Sequence, residues 1–251
     1  MSTYHRLALA VALAATTFSH AAHALVVDSG TGNASIALVV YDPTLPNTDA
    51  TGRAYIKDLG VDFAHVASIP ASVDLSSDTN WTSFLTASND PNLVYQVLSW
   101  NTAGTFDVLA TGAPSINIAN TNVGKAQLIL NSFYTQINLL GIPTDGSIVT
   151  NNGNGIGYPS NAGSIQRRVG TNFTGNLGTA LDSSIALTDY QQNFAGSNAP
   201  ASKLFEGTFT LGSNGMLTFA PVPEPQSWVL LAGGIIGLGV IARRRLAAQH
   251  A

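Results

Sequence analysis

Cysteine and histidine set the first limits on the chemistry open to this chain. There is no cysteine, which removes thiolate nucleophiles, thiolate metal sites and disulfide redox cycles. His5, His20 and His23 sit at one end and His250 at the other, so His65 alone falls in the body of the sequence. A multi-histidine zinc site is excluded there, and Ser-His-Asp chemistry would have to run through His65. No Gly-x-Ser-x-Gly elbow is present to partner it, so it reads as a surface or strand-edge histidine. Carboxylates offer more. Asp58 and Asp62 flank Gly60, and Asp74 and Asp78 flank Leu75. Paired carboxylates are the equipment of glycoside hydrolysis. The same short acids also build turns and helix caps by accepting backbone N–H groups, and that reading is preferred. Asp28, Asp42 and Asp49 could contribute oxygens to a structural calcium, but no EF-hand loop pattern occurs. No cofactor and no metal ligand are therefore assigned, and no residue is assigned as catalytic. Gly153-x-Gly155-x-Gly157 lacks the spacing of a phosphate-binding loop, and Arg167-Arg168 reads as a solvated pair. Trp81 and Trp100 lie in apolar stretches and read as core. Tyr158, in a Gly/Asn-rich loop, is the ring to test for glycan contact.

The elements that must position these groups are mostly strands. Ala34–Tyr41 is β-branched and apolar, a buried strand; Arg53–Lys57 alternates Ala54 and Ile56 against Arg53, Tyr55 and Lys57, a half-exposed one. Leu93–Trp100 and Thr105–Thr111 are further strand segments. Lys203–Leu211 and Met216–Ala220 flank Gly212-Ser-Asn-Gly215 and read as a β-hairpin. A short helix is expected over Asp78–Ala87, capped by Asp78 or Thr79. Val123, Ala126, Leu130, Phe133, Ile137 and Leu140 recur at steps of three and four, which predicts one amphipathic helix over 122–140 lying on a sheet. Asn122 is its expected cap and Gly141 with Pro143 its stop. Residues 144–178 read as a long Gly/Asn/Ser/Thr loop with a short strand at Ile165–Val169, and Ala220–Pro225 as a Pro-rich linker. The fold class expected is mainly β, a β-sandwich or jelly-roll-like single domain over 25–220.

That body carries six basic residues, Arg53, Lys57, Lys125, Arg167, Arg168 and Lys203, against thirteen acids, all Asp except Glu206. Nucleic acid is disfavoured as a partner, because it needs a basic surface. The ends of the chain read as addresses. Arg6, the apolar run Leu7–Phe18 and the small-x-small site Ala22-His23-Ala24 form a secretory signal peptide, residues 1–24, cut after Ala24. At the other end Val222-Pro223-Glu224-Pro225 precedes an uncharged apolar stretch from Trp228 to Ala242, followed by Arg243, Arg244 and Arg245. As a helix the stretch would be about 22 Å long, a short transmembrane span. The arginines would keep its C-terminal end cytoplasmic and place everything before Trp228 outside.

This order of Val-Pro-Glu-Pro, Gly-rich apolar helix and arginine cluster over residues 221–246 resembles the PEP-CTERM protein-sorting signal of Gram-negative bacteria. The opening Ala37–Asp42 and Tyr55–Gly60 is similar to that of many PEP-CTERM proteins of unassigned function, and no activity follows from it. The resemblance implies an exosortase substrate. Such a protein is exported through the Sec translocon, trimmed by signal peptidase and held in the inner membrane as a precursor. A membrane protease, the exosortase, then cuts near Pro223–Pro225 and passes it to the cell surface or beyond. It also implies association with extracellular matrix, polysaccharide or biofilm. The expected function is thus a non-enzymatic surface or matrix protein. The alternative is a secreted glycan-binding module or carboxylate-dependent glycosidase.

Overall fold

A computed structural model of the chain describes residues 32–41, 53–88, 92–102, 106–112, 118–142, 146–151, 178–193 and 195–222. Ala22, Ala24, Tyr158, the strand expected at 165–169, Arg167-Arg168 and the tail from Pro223 through the helix 228–242 to Arg245 lie outside these residues. Among the described residues no helix is long and apolar enough to cross a membrane.

The domain is mainly β, as its alternating and β-branched segments require. Its strands are β1 (Ser35–Tyr41), β2 (Arg53–Asp62), β3 (Ser72–Asp74), β4 (Val94–Asn101), β5 (Asp107–Gly112), β6 (Ser147–Asn151), β7 (Thr179–Ala180), β8 (Ser184–Gln191), β9 (Ser202–Leu211) and β10 (Met216–Pro221). Among the described residues there are also two helices, α1 (Thr79–Ser88) and α2 (Asn120–Leu140), and a 3-10 turn at Phe63–Ser68. All ten strands join one antiparallel sheet in the order β3-β10-β9-β8-β5-β4-β1-β2-β6, with β7 also on β4. Two stacked sheets were expected from the short strands and Gly/Asn turns. The pairing instead runs without a break, and a helix packs on each face of the single sheet.

The sheet buries both faces. On one, α2 lays Val123, Ala126, Leu130, Phe133 and Ile137 onto Val39, Leu98, Trp100 and Val108. The three-and-four stripe read from the sequence is the buried stripe here. Tyr134 lies in the same layer and holds its hydroxyl 2.8 Å from the Ser35 carbonyl and 3.0 Å from that of Leu98. On the other face Trp81 and Phe84 of α1 pack with Leu38, Val40, Tyr55, Leu109, Phe209 and Phe219. α1 touches β2 and β6 near one edge of the sheet. Trp81 also approaches the β9–β10 turn so closely that a Cβ on Gly215 would lie 2.7 Å from its Nε1. The sheet therefore curls around α1 into a half-barrel, with α2 outside.

Several local expectations change in this setting. β2 keeps Arg53 exposed and Lys57 partly exposed against buried Ala54 and Ile56, but Tyr55 breaks the alternation. Tyr55 is fully buried because α1 lies over it, its ring 5.1 Å from that of Trp81 in an edge-on contact. α2 begins at Asn120, two residues before Asn122, so Asn122 is not its cap; the N-cap is Ala119, whose methyl group cannot accept a hydrogen bond. Asn120 turns its amide to the β8–β9 connection, donating to the Asn193 and Gly196 carbonyls and accepting from the Asn193 N–H. The α2 C-terminus does end at Gly141, whose φ of 75° suits glycine. β6 lies inside the segment read as loop, and β10 runs to Pro221, into the stretch read as linker.

Candidate functional site

Each carboxylate singled out from the sequence has a local task. Asp78 caps α1: its carbonyl accepts the Thr82 N–H, and its Oδ1 accepts those of Asn80 at 2.9 Å and Trp81 at 3.3 Å. The same carboxylate takes the Tyr55 hydroxyl at 2.8 Å, the Ser147 hydroxyl at 3.0 Å and Lys57 Nζ at 3.3 Å. Burial acts to raise its pKa, but the two hydroxyls, the lysine and the helix amide outweigh burial and hold it below the usual range. Asp74 accepts the Ser76 N–H at 2.8 Å and Asp58 that of Gly60 at 2.8 Å, both turn contacts. Asp62 pairs with His65 Nδ1 at 2.6 Å, and that histidine is largely exposed on the 3-10 turn. Asp74 and Asp78 do share a polar cleft of about 280 Å³ with Lys57, Leu75, Ser77 and Thr79. Among the described residues no group of three or more His, Asp or Glu is placed to hold a metal.

Among the described carboxylates, one that was not singled out in the sequence is strongly perturbed. Asp189, mid-β8, is 5% exposed, and burial pushes its carboxyl up to about 7. Gln191 Nε2 opposes this by donating to Oδ2 at 2.6 Å; the charges of Asp107 and Glu206 add to it. Its Oδ1 has no hydrogen-bond partner among the described residues. Register explains the grouping: Asp189 stands opposite Leu109 on β5 and Leu204 on β9, and Asp107 stands opposite Gln191. A β-bulge against Leu187 and Thr188 leaves Glu206 as the extra residue of β9, and burial raises its carboxyl as well. Such a carboxyl could move a proton near neutral pH. No sequence spacing could have found this cluster, because its members come from three strands.

This acidic corner is also where the described chain ends. Val222 follows β10, is 39% exposed, and donates its N–H to the Glu206 carbonyl at 3.1 Å. Leu204 and Phe205 beside it are 53% and 48% exposed. Of the expected sorting-motif residues Val222 alone is described, and it sits at the surface end of a strand. No protein-family model matches this chain, and no curated protein or solved structure shows a significant match to it.

Proposed function

We propose that this chain is an exported surface or matrix protein sorted by an exosortase-type system, with no catalytic role. Sec and signal peptidase would remove residues 1–24. The helix 228–242 and Arg243–Arg245 would hold the precursor in the inner membrane, and cleavage near Val222–Pro225 would send the domain to the cell surface or the extracellular polysaccharide. The observation that carries the reading is the position of Val222. Among the described residues the last hydrogen bond of the domain is made there, and the next residue opens the Pro-Glu-Pro motif. Cleavage at the motif would cost the domain none of its described strands. The test is intact mass and cell fractionation of the protein from its own host. A mass lacking 1–24 and everything beyond about residue 225, outside the inner membrane, is expected. A mass retaining 228–245 in the inner membrane would overturn the sorting claim and leave a single-span periplasmic anchor.

The second reading, a glycan-binding module or carboxylate-dependent glycosidase, is favoured by the cleft that Asp74 and Asp78 share. It predicts retention on immobilised polysaccharide that weakens in Asp74→Asn, and product release only for a glycosidase. The ordinary capping role of Asp78 places this reading second.

A further inference from the structure

Arg53, Tyr55 and Lys57 share the face of β2 that α1 covers, because side chains alternate along a strand. Trp81 and Phe84 take Tyr55 between them, and the two cations emerge into separate clefts. Lys57 enters the cleft of Asp74 and Asp78 and pairs with Asp78 at 3.3 Å. Arg53 lines a second, open cleft of about 490 Å³, walled by Thr79, Thr82, Ser83, Thr86 and Ala87. It is exposed, and among the described residues its guanidinium has neither an ion pair nor a hydrogen bond. The α1 wall is built of hydroxyls. Thr79, Thr82, Ser83 and Thr86 lie at i, i+3, i+4 and i+7, all exposed, on the side away from buried Trp81 and Phe84. No residue of α1 is charged. The solvent face of a helix ordinarily carries charged residues of good helix propensity, and threonine is a poor helix former. Helix stability therefore does not account for this face.

We infer that the cleft between Arg53 and the hydroxyl face of α1 binds a carboxylated sugar unit of an acidic polysaccharide. The guanidinium is the first argument. An unpaired arginine fork matches the two oxygens of a carboxylate, and a bidentate pair fixes the orientation of the group that carries it. The hydroxyls are the second. Thr82 and Thr86 donate to the Asp78 carbonyl at 3.2 Å and the Thr82 carbonyl at 2.9 Å, which leaves their oxygens as acceptors. The Thr79 and Ser83 hydroxyls have no hydrogen bond among the described residues, so each can both donate and accept. Donors and acceptors of this kind beside one cation suit a ring that bears hydroxyls and one carboxylate. The domain is acidic as a whole, but Asp78, in the neighbouring cleft that shares Thr79, has its charge met by Lys57 and two hydroxyls. Arg53 is left to set the local sign. The occasion for binding rests on the reading of a surface protein associated with extracellular polysaccharide; the site narrows that polysaccharide to an acidic one.

The test is an NMR titration of the full, ¹⁵N-labelled chain in neutral detergent micelles with oligogalacturonate, a carboxylated sugar oligomer. Saturable shifts centred on the amides of Arg53, Thr82, Ser83 and Thr86 are expected. Arg53→Gln should weaken binding about tenfold, and Arg53→Lys by less, because lysine keeps the charge and loses the fork. Ser83→Ala, which leaves β2 untouched, should weaken it about threefold. Unchanged amide signals away from β2 and α1 show that each variant folds. Absence of saturable shifts overturns the inference. So does equal binding of a neutral oligosaccharide of the same length, which makes the hydroxyls alone the cause. Binding of inorganic phosphate just as tightly assigns Arg53 to a bare anion, and an equal loss in Lys203→Gln on β9 assigns the effect to overall charge; both overturn it. All of these are read on purified protein, so the inference can fail while the mass measurement upholds the sorting reading, and the reverse.

Discussion

At the residue scale, two aspartates of the same chemical type are driven in opposite directions by their surroundings. Asp189 is buried with a neutral amide and two acids for company, so its folded-state carboxyl is raised from the ordinary 3.8 to about 7. Below about pH 4 both folded and unfolded chains hold the proton; between about 4 and 7 only the folded chain does. Stability therefore falls as pH rises through that window and levels off above it. Asp189→Asn keeps the shape without the charge. It should raise stability at pH 8 by on the order of 2–4 kcal/mol and change little at pH 4, as read by urea unfolding at each pH. Equal effects at both pH values would show that charge is not the cause. Asp78 is the reverse case, with a depressed pKa and a contribution present above its unfolded pKa and lost as pH falls through the folded value. Asp78→Ala removes a helix cap and the carboxylate that accepts from the Tyr55 and Ser147 hydroxyls and Lys57. A loss of about 2–4 kcal/mol is expected, with roughly half recovered in Asp78→Asn, which still caps. Thermal unfolding of the two variants checks the order.

At the scale of elements, α1 and the β9–β10 hairpin approach each other closely at Gly215. Gly215 has φ of 84°, and a Cβ there would meet Trp81 Nε1 at 2.7 Å. Gly215→Ala should cost about 2–3 kcal/mol, more than turn strain alone, and should quench or shift Trp81 fluorescence in the folded state. A change below about 0.5 kcal/mol would mean that the hairpin and helix are not coupled. The hairpin and the α2 stripe were legible in the sequence because both signals are local: a Gly-bounded turn, and apolar residues at steps of three and four. β6 and β8 were not legible. Ser147–Asn151 is short and polar and sits among glycines. Ser184–Gln191 carries Asp189 at a position that becomes buried only once β5 and β9 lie on either side. The exposure of Tyr55 in β2 was misjudged for a similar reason, since alternation reports one covered face and α1 covers the second.

For the whole molecule, the half-barrel delivers the C-terminal end of its last strand to a surface corner, and the proposed sorting signal starts there. The membrane helix would begin at Trp228, six residues after Val222, a reach of at most about 20 Å. The domain would therefore stand against the bilayer as a precursor and be released only by cutting. Replacing Glu224 with Ala, or deleting Arg243–Arg245, should leave full-length protein in the inner membrane or mislocalise it, as seen by immunoblotting of fractions. Unchanged surface delivery in both variants would sink the sorting reading. The sequence by itself carries the linear patterns of charge and hydropathy from which the two addresses are proposed. It also determined the mainly β class, the hairpin and the α2 face, all set by contacts a few residues apart. Only the tertiary structure decided that the strands close into one curled sheet, that α1 covers Tyr55, and that Asp107, Asp189 and Glu206 share a corner beside Val222. These depend on which strands become neighbours, and that is settled by burial summed over the whole sheet, a quantity that no local pattern records.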